Sequence, residues 1–125
     1  MVPWTDPPSP ARRRGLAYER RVGKWLQTQA DSLGWILHDH RWLQHNGCWL
    51  QPDFVLESPS GSLILIECKL TWLDCREQMQ KYLRALEELG LSAVPLLACR
   101  NLTPSAPAPI QFEDANAWDV IHLWL

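Results

Sequence analysis

Apolar side chains recur at helical spacing over residues 15–33, where Tyr18, Val22, Trp25, Leu26 and Leu33 line one stripe. Gly34 follows where a left-handed residue closes a helix. This predicts a first helix. Residues 35–44 (WILHDHRWLQ) and 48–56 (CWLQPDFVL) are rich in aromatic and aliphatic side chains, and the Asn46-Gly47 step between them favours a tight reversal, so they are expected to pair as a hairpin. A second reversal at 57–61 (ESPSG) leads into 62–70, whose near-continuous apolar run suits a central strand covered on both faces. Asp74 with Glu77 three residues on signals a helix start. Met79, Tyr82, Leu83, Leu86 and Leu89 then form an apolar stripe that Gly90 ends. Residues 94–99 (VPLLAC) return as a strand, which after a crossover helix can lie parallel to the strand at 62–70. The predicted order is α-β-β-β-α-β, an α/β fold.

Residues 1–11 hold four prolines and no apolar period, which predicts a flexible lead-in to a single domain over 12–125. Within that domain 103–109 (TPSAPAP) is a short proline-rich connection. The tail from 115 to 125 is apolar enough to pack back onto the body, with helix and strand both open.

Composition changes this picture little. A chain of 125 residues is one average domain, and 46% apolar with 21% charged residues excludes wholesale disorder, collagen-like repeats and coiled coil. The longest apolar run, 63–66, is far too short to cross a bilayer, and the N-terminus lacks the pattern of a secretory signal, so a soluble, cytoplasmic protein without a membrane partner is expected. The four cysteines, Cys48, Cys68, Cys75 and Cys99, show no C-x-x-C pairing, which leaves zinc knuckles and iron–sulfur clusters without support and points to reduced thiols.

Charge is more local than the net of -2 suggests, because seven of the twelve Lys and Arg fall in residues 1–41. The weakly acidic total argues against a protein that coats nucleic acid nonspecifically. Arg12, Arg13, Arg14, Arg20, Arg21 and Lys24 are nonetheless suited to a local phosphate-facing patch, and equally to a solubilising arm. Arg41 is a further candidate for phosphate contact.

The candidate chemistry lies in Pro52-Asp53 on one strand and Glu67-Cys68-Lys69 on the next. Side chains alternate along a strand, so Glu67 and Lys69 share one face and Cys68 points to the other, while Asp53 can reach the same spot across the reversal. Leu63 and Leu65 precede the pair on its face, so the polar groups emerge where the strand leaves the core. Two carboxylates and an amine suit phosphodiester hydrolysis, which must neutralise charge beside an anionic backbone. Asp53 and Glu67 offer hard oxygens to Mg²⁺, with the Cys68 carbonyl as a third. Lys69 can orient or deprotonate the attacking water, or stabilise charge on the phosphate.

Pro52-Asp53 followed by Glu67-x-Lys69 resembles the PD-(D/E)xK nuclease superfamily over roughly residues 12–100. The resemblance implies a restriction-endonuclease-like α-β-β-β-α-β core with a mixed central sheet. It also implies a Mg²⁺-dependent deoxyribonuclease, with Mn²⁺ able to substitute, leaving 5′-phosphate ends in DNA recombination, repair or replication of a phage or prokaryote. Members often add a Glu from the first helix as a metal ligand, and Glu19 is the matching position. Residues 13–19 are similar to the helix start of archaeal Holliday-junction resolvases. Gln78-x-x-x-Tyr82 looks like an element of recombination exonucleases and, at i, i+4, can hold a phosphate or water, or be a solvated Gln beside a core Tyr. The small size implies a homo-oligomer or a recombination or replication protein as partner.

His38, His40 and His45 invite a metal or general-base reading, but no third ligand at fixed spacing accompanies them, and imidazoles packed on a strand are the commoner case. The Trp residues read as core, with Trp4 and Trp72 near segment ends and able to stack on an unpaired base. Against the nuclease stands a catalytically silent nucleic-acid-binding or assembly module of the same fold.

Overall fold

The apolar stripe of the first helix is realised as α1 (Ala17–Leu33), which buries Tyr18, Val22, Leu26 and Ala30 and ends at Gly34, with φ +70°. The computed structural model describes residues 2–5, 17–112, 119–123 and 125. Arg12, Arg13 and Arg14 lie outside the described residues. After α1 come β1 (Ile36–Asp39), β2 (Leu43–His45), β3 (Cys48–Leu50), β4 (Phe54–Glu57), β5 (Leu63–Thr71), α2 (Arg76–Glu88), β6 (Ala93–Asn101) and β7 (Asp119–His122).

Five strands form one mixed sheet in the order β1-β4-β5-β6-β7. The β1/β4 and β4/β5 pairs are antiparallel, whereas β5/β6 and β6/β7 are parallel. The crossover through α2 therefore returns the chain beside β5, as parallel strands require. Pro95 stands in β6 one residue before the described pairing with β7 begins.

The reversal at Asn46-Gly47 forms, with positive φ at both residues as a primed hairpin turn needs. The hairpin is not continuous, however. Its tip, β2/β3, is a separate two-stranded sheet, and its base, β1/β4, belongs to the main sheet. The break falls at residues 40–42 and 51–53, where His40 takes φ +49° and the chain leaves the strand alternation.

Helices cover both faces of the sheet. On one, α1 packs Tyr18, Val22, Leu26 and Ala30 against Phe54, Leu56, Ile66, Cys68, Leu96 and Ala98. On the other, Tyr82, Ala85 and Leu86 of α2 meet Val55, Leu63 and Leu65, and Cys75 and Met79 meet Leu97, Cys99 and Val120. The strict alternation of β5 between these faces explains its continuous apolar run. Gly23 sets the approach of α1, because a Cβ there would lie 3.0 Å from Phe54 Cζ. That closeness lowers the first turn of α1, with Glu19, onto the end of β4.

Two local readings change. Helix α2 begins one residue later than an Asp74 cap implies: Cys75 is the cap residue without a side-chain cap bond, and Asp74 instead accepts from the Arg76 backbone N–H and guanidinium. Of the lead-in, residues 2–5 pack against the body, with Val2 buried in the α2-side core and Trp4 beside it. The tail supplies β7 along the edge of β6. Among the described residues no helix is long and apolar enough to cross a membrane.

Candidate functional site

The polar cluster forms where β4 and β5 leave the core. Phe54 of β4 pairs with Ile66 of β5, so Asp53, one residue earlier, comes beside Glu67. The two are joined directly: the Asp53 N–H donates to Glu67 Oε1 at 3.2 Å, and the Cys68 N–H donates to Asp53 Oδ2 at 2.9 Å. Asp53 thus takes over a backbone donor of β5 just past the end of β4. Glu19 reaches the same place from the first turn of α1. Glu19, Asp53 and Glu67 are 2%, 0% and 0% exposed, an unusual concentration of acidic side chains away from water.

His40 completes the group. Its Nε2 stands 3.4 Å from Glu19 Oε2 and 3.6 Å from Asp53 Oδ1, and its Nδ1 contacts the Asp39 carboxylate. The ring lies edge-on to Phe54, 5.2 Å between centroids. Hydrogen bonding to Asp53 pushes the His40 pKa up to about 9, burial opposes this, and Asp39 adds to the rise.

A chain of hydrogen bonds braces this loop from α2. Gln78 Nε2 donates to Tyr82 Oη at 3.3 Å, Tyr82 donates to the Gln51 carbonyl at 3.3 Å, and Gln51 Nε2 donates to the His40 carbonyl at 2.9 Å. Gln78 and Tyr82 do share a helix face, and Tyr82 is buried with its hydroxyl engaged on the main chain. The pair positions residues 40 and 51 from within the protein.

Glu67 and Lys69 both bear on the Cys75 thiol at the start of α2. Burial is the main cause of its rise to about 11, with Glu67 adding to it and Lys69 opposing it. Alternation along β5 from Leu63 and Leu65 places both charged groups on the α2 face. Cys68 is on the α1 face, where it packs in the core with Tyr18. Next to this end of the sheet, Trp72, Cys75, Arg76, Met79, Leu97 and Val120 line a cleft of about 230 Å³. Arg41 follows His40 and is exposed.

Among the described residues, the His, Cys, Asp and Glu side chains close enough to hold one ion are Glu19, His40 and Asp53, whose ligand atoms all lie within 4.8 Å of one another. Glu67 adjoins this group through the Asp53 N–H rather than belonging to it. The donor set, two carboxylates and an imidazole, is of a kind that binds divalent cations.

Sequence reasoning named His40 with His38 and His45 as a metal or general-base candidate but favoured strand packing, because a continuous strand through residue 40 would place it on the same face as His38. The positive φ turns it away. His38 instead pairs with Glu57 at 2.9 Å, and His45 with Glu88. The available signal was the position of His40 at a strand end beside Asp39, since His is among the residues that tolerate the left-handed region.

Fold and site together define a mixed α/β protein with buried acidic groups gathered at the end of its central strands. No protein-family model and no curated protein matches the chain.

Proposed function

We propose that the protein is a divalent-cation-dependent deoxyribonuclease with a restriction-endonuclease-like core. The observation that carries this reading is the approach of Asp53 to Glu67 across β4/β5, with Glu19 brought in from α1 and Lys69 one strand period beyond Glu67. Buried carboxylates are costly unless a positive charge accompanies them, and a group poised to take up a cation supplies the reason for gathering them. Mg²⁺ or a similar ion held by Glu19 and Asp53, with Glu67 alongside, would offset phosphate charge and make water a better nucleophile.

The chain's own groups do the rest. Asp53 is held in one orientation by the Cys68 N–H, so its second oxygen faces Glu19 and His40. Lys69 follows Glu67 on the face of β5 that turns to α2, where its ammonium orients the attacking water and offsets charge on the phosphate. Attack on phosphorus breaks the bond to O3′, the water gives its proton to solvent and O3′ takes one up from solvent, leaving a 3′-hydroxyl and a 5′-phosphate. Exposed Arg41 meets the backbone phosphates next to the reacting one.

The test is cleavage of end-labelled branched, single-stranded and linear duplex DNA with Mg²⁺ or Mn²⁺, against an EDTA control and Lys69→Ala. Lys69→Ala is expected to cut about 10²–10⁴-fold more slowly while keeping its unfolding midpoint. Equal cutting by wild type and variant overturns the assignment. DNA binding without any cutting replaces it with a silent binding module.

A further inference from the structure

Within the group around Asp53, the His40 imidazole is held as a metal-bound imidazole usually is. A ligating histidine typically gives its other ring N–H to a carboxylate, which fixes the tautomer and aims the remaining nitrogen at the ion. Here Asp39 occupies Nδ1, and Nε2 is aimed between Glu19 and Asp53. Nε2 lies 3.4 Å from Glu19 Oε2 and 3.6 Å from Asp53 Oδ1, close enough for the three side chains to share one ion.

The backbone is committed to this placement. His40 adopts φ +49°, a conformation that costs a residue with a side chain and persists where its surroundings impose it. Two bonds impose it: the His40 N–H donates to the Asp53 carbonyl at 3.0 Å, and the His40 carbonyl accepts from Gln51 Nε2 at 2.9 Å. The main chain of the proposed ligand Asp53 thereby anchors the imidazole beside its own carboxylate.

An imidazole changes which ion the site prefers. Mg²⁺ takes oxygen and water in strict octahedral geometry and gains little from nitrogen, whereas divalent transition ions bind imidazole well and also accept carboxylates. Resting on the metal-site reading above, we propose that His40 is a direct nitrogen ligand of the cation and that it makes the site select divalent transition ions, with Mn²⁺ as the probe, over Mg²⁺.

The test uses the full chain stripped of metal, with Mn²⁺ titrated by electron paramagnetic resonance and Mg²⁺ measured by competition. Wild type is expected to bind Mn²⁺ about tenfold or more tightly than Mg²⁺, and pulsed spectra of the bound ion to show ¹⁴N modulation from a coordinated imidazole. His40→Ala and His40→Asn are expected to lose that modulation and most of the preference for Mn²⁺ over Mg²⁺. His40→Asn is included because Asn tolerates the left-handed backbone, so a folding defect in the alanine variant does not decide the matter. Asp39→Asn is expected to weaken Mn²⁺ binding about tenfold with the ¹⁴N signal kept. Bound Mn²⁺ without ¹⁴N modulation, or unchanged selectivity in both His40 variants, overturns the role of His40 and leaves the nuclease reading standing. Failure of wild type to bind any divalent cation overturns both.

Discussion

The β2–β3 hairpin and the polar end of the β4–β5 pair both set histidine against carboxylate, but in opposite surroundings. At the hairpin tip His45 meets Glu88 of α2, which also accepts from Asn46, and the Glu88 side chain is 57% exposed. Water and salt screen such a pair, so it holds the tip to the helix at little gain or cost. Around Asp53 one imidazole faces two carboxylates almost excluded from water, with Glu67 adjoining. Like charges there are poorly screened, and packing alone gives no reason to gather them. The same residue types make a surface tie in one place and a buried charged cluster in the other, and burial sets the difference.

The largest test of this contrast is Asp53→Asn. The amide keeps an acceptor for the Cys68 N–H but removes the charge, so cation binding measured by calorimetry is expected to fall roughly a hundredfold with the fold retained. No comparable loss is expected from Glu88→Gln at the hairpin. Next in size is Phe54→Ala, which empties a core position under α1 and removes the wall behind the His40 ring. It is expected to lower unfolding free energy by about 3–5 kcal/mol in urea denaturation and to weaken cation binding as well. Tyr82→Phe, which takes away only the hydroxyl linking Gln78 to Gln51, is expected to cost about 0.5–1.5 kcal/mol by the same measurement.

Smaller still is His45→Ala, expected to cost about 0.2–1 kcal/mol, with the difference shrinking at high salt. The thiols give the finest comparison. Cys48 lies exposed on β3, whereas Cys68, Cys75 and Cys99 are buried near the polar end of the sheet. Only the thiolate reacts, and burial pushes Cys75 up to about 11 and raises Cys99 as well. A thiol reagent at about pH 8 is therefore expected to consume Cys48 quickly and the others only on unfolding. Raising the pH to about 9 still leaves Cys75 protonated, so prompt reaction of a second thiol there would contradict its burial.

Much of the architecture was legible in the chain because it is local. The stripe at Tyr18, Val22 and Leu26, the Asn46-Gly47 turn, the apolar run before Glu67 and the glycine stops at 34 and 90 each act over a few residues. They correspond to α1, the β2/β3 reversal, β5 and α2. The pairing of Asp53 with Glu67 was also readable, since two antiparallel strands joined by a short reversal place those positions opposite each other. His40 was named as a candidate, but its turn towards Asp53 was not readable, because a continuous strand and a strand ending in a left-handed residue look alike in sequence. The tail was undecided because β7 depends on a free edge of β6, which no pattern within residues 115–125 reveals.

By itself, then, the sequence determined the alternation that sends Glu67 and Lys69 to one face and Cys68 to the other, and the stripes that lay a helix on each side. Those follow from backbone periods of 2 and 3.6 residues. Only the tertiary structure decided that Glu19, His40 and Asp53 meet, and that Glu67 spends one oxygen on the Asp53 N–H. Their meeting depends on how closely α1 settles over Gly23, on the backbone bonds that turn residue 40 inward, and on where Tyr82 anchors Gln51. Those are distances between segments far apart in the chain, and no local propensity encodes them.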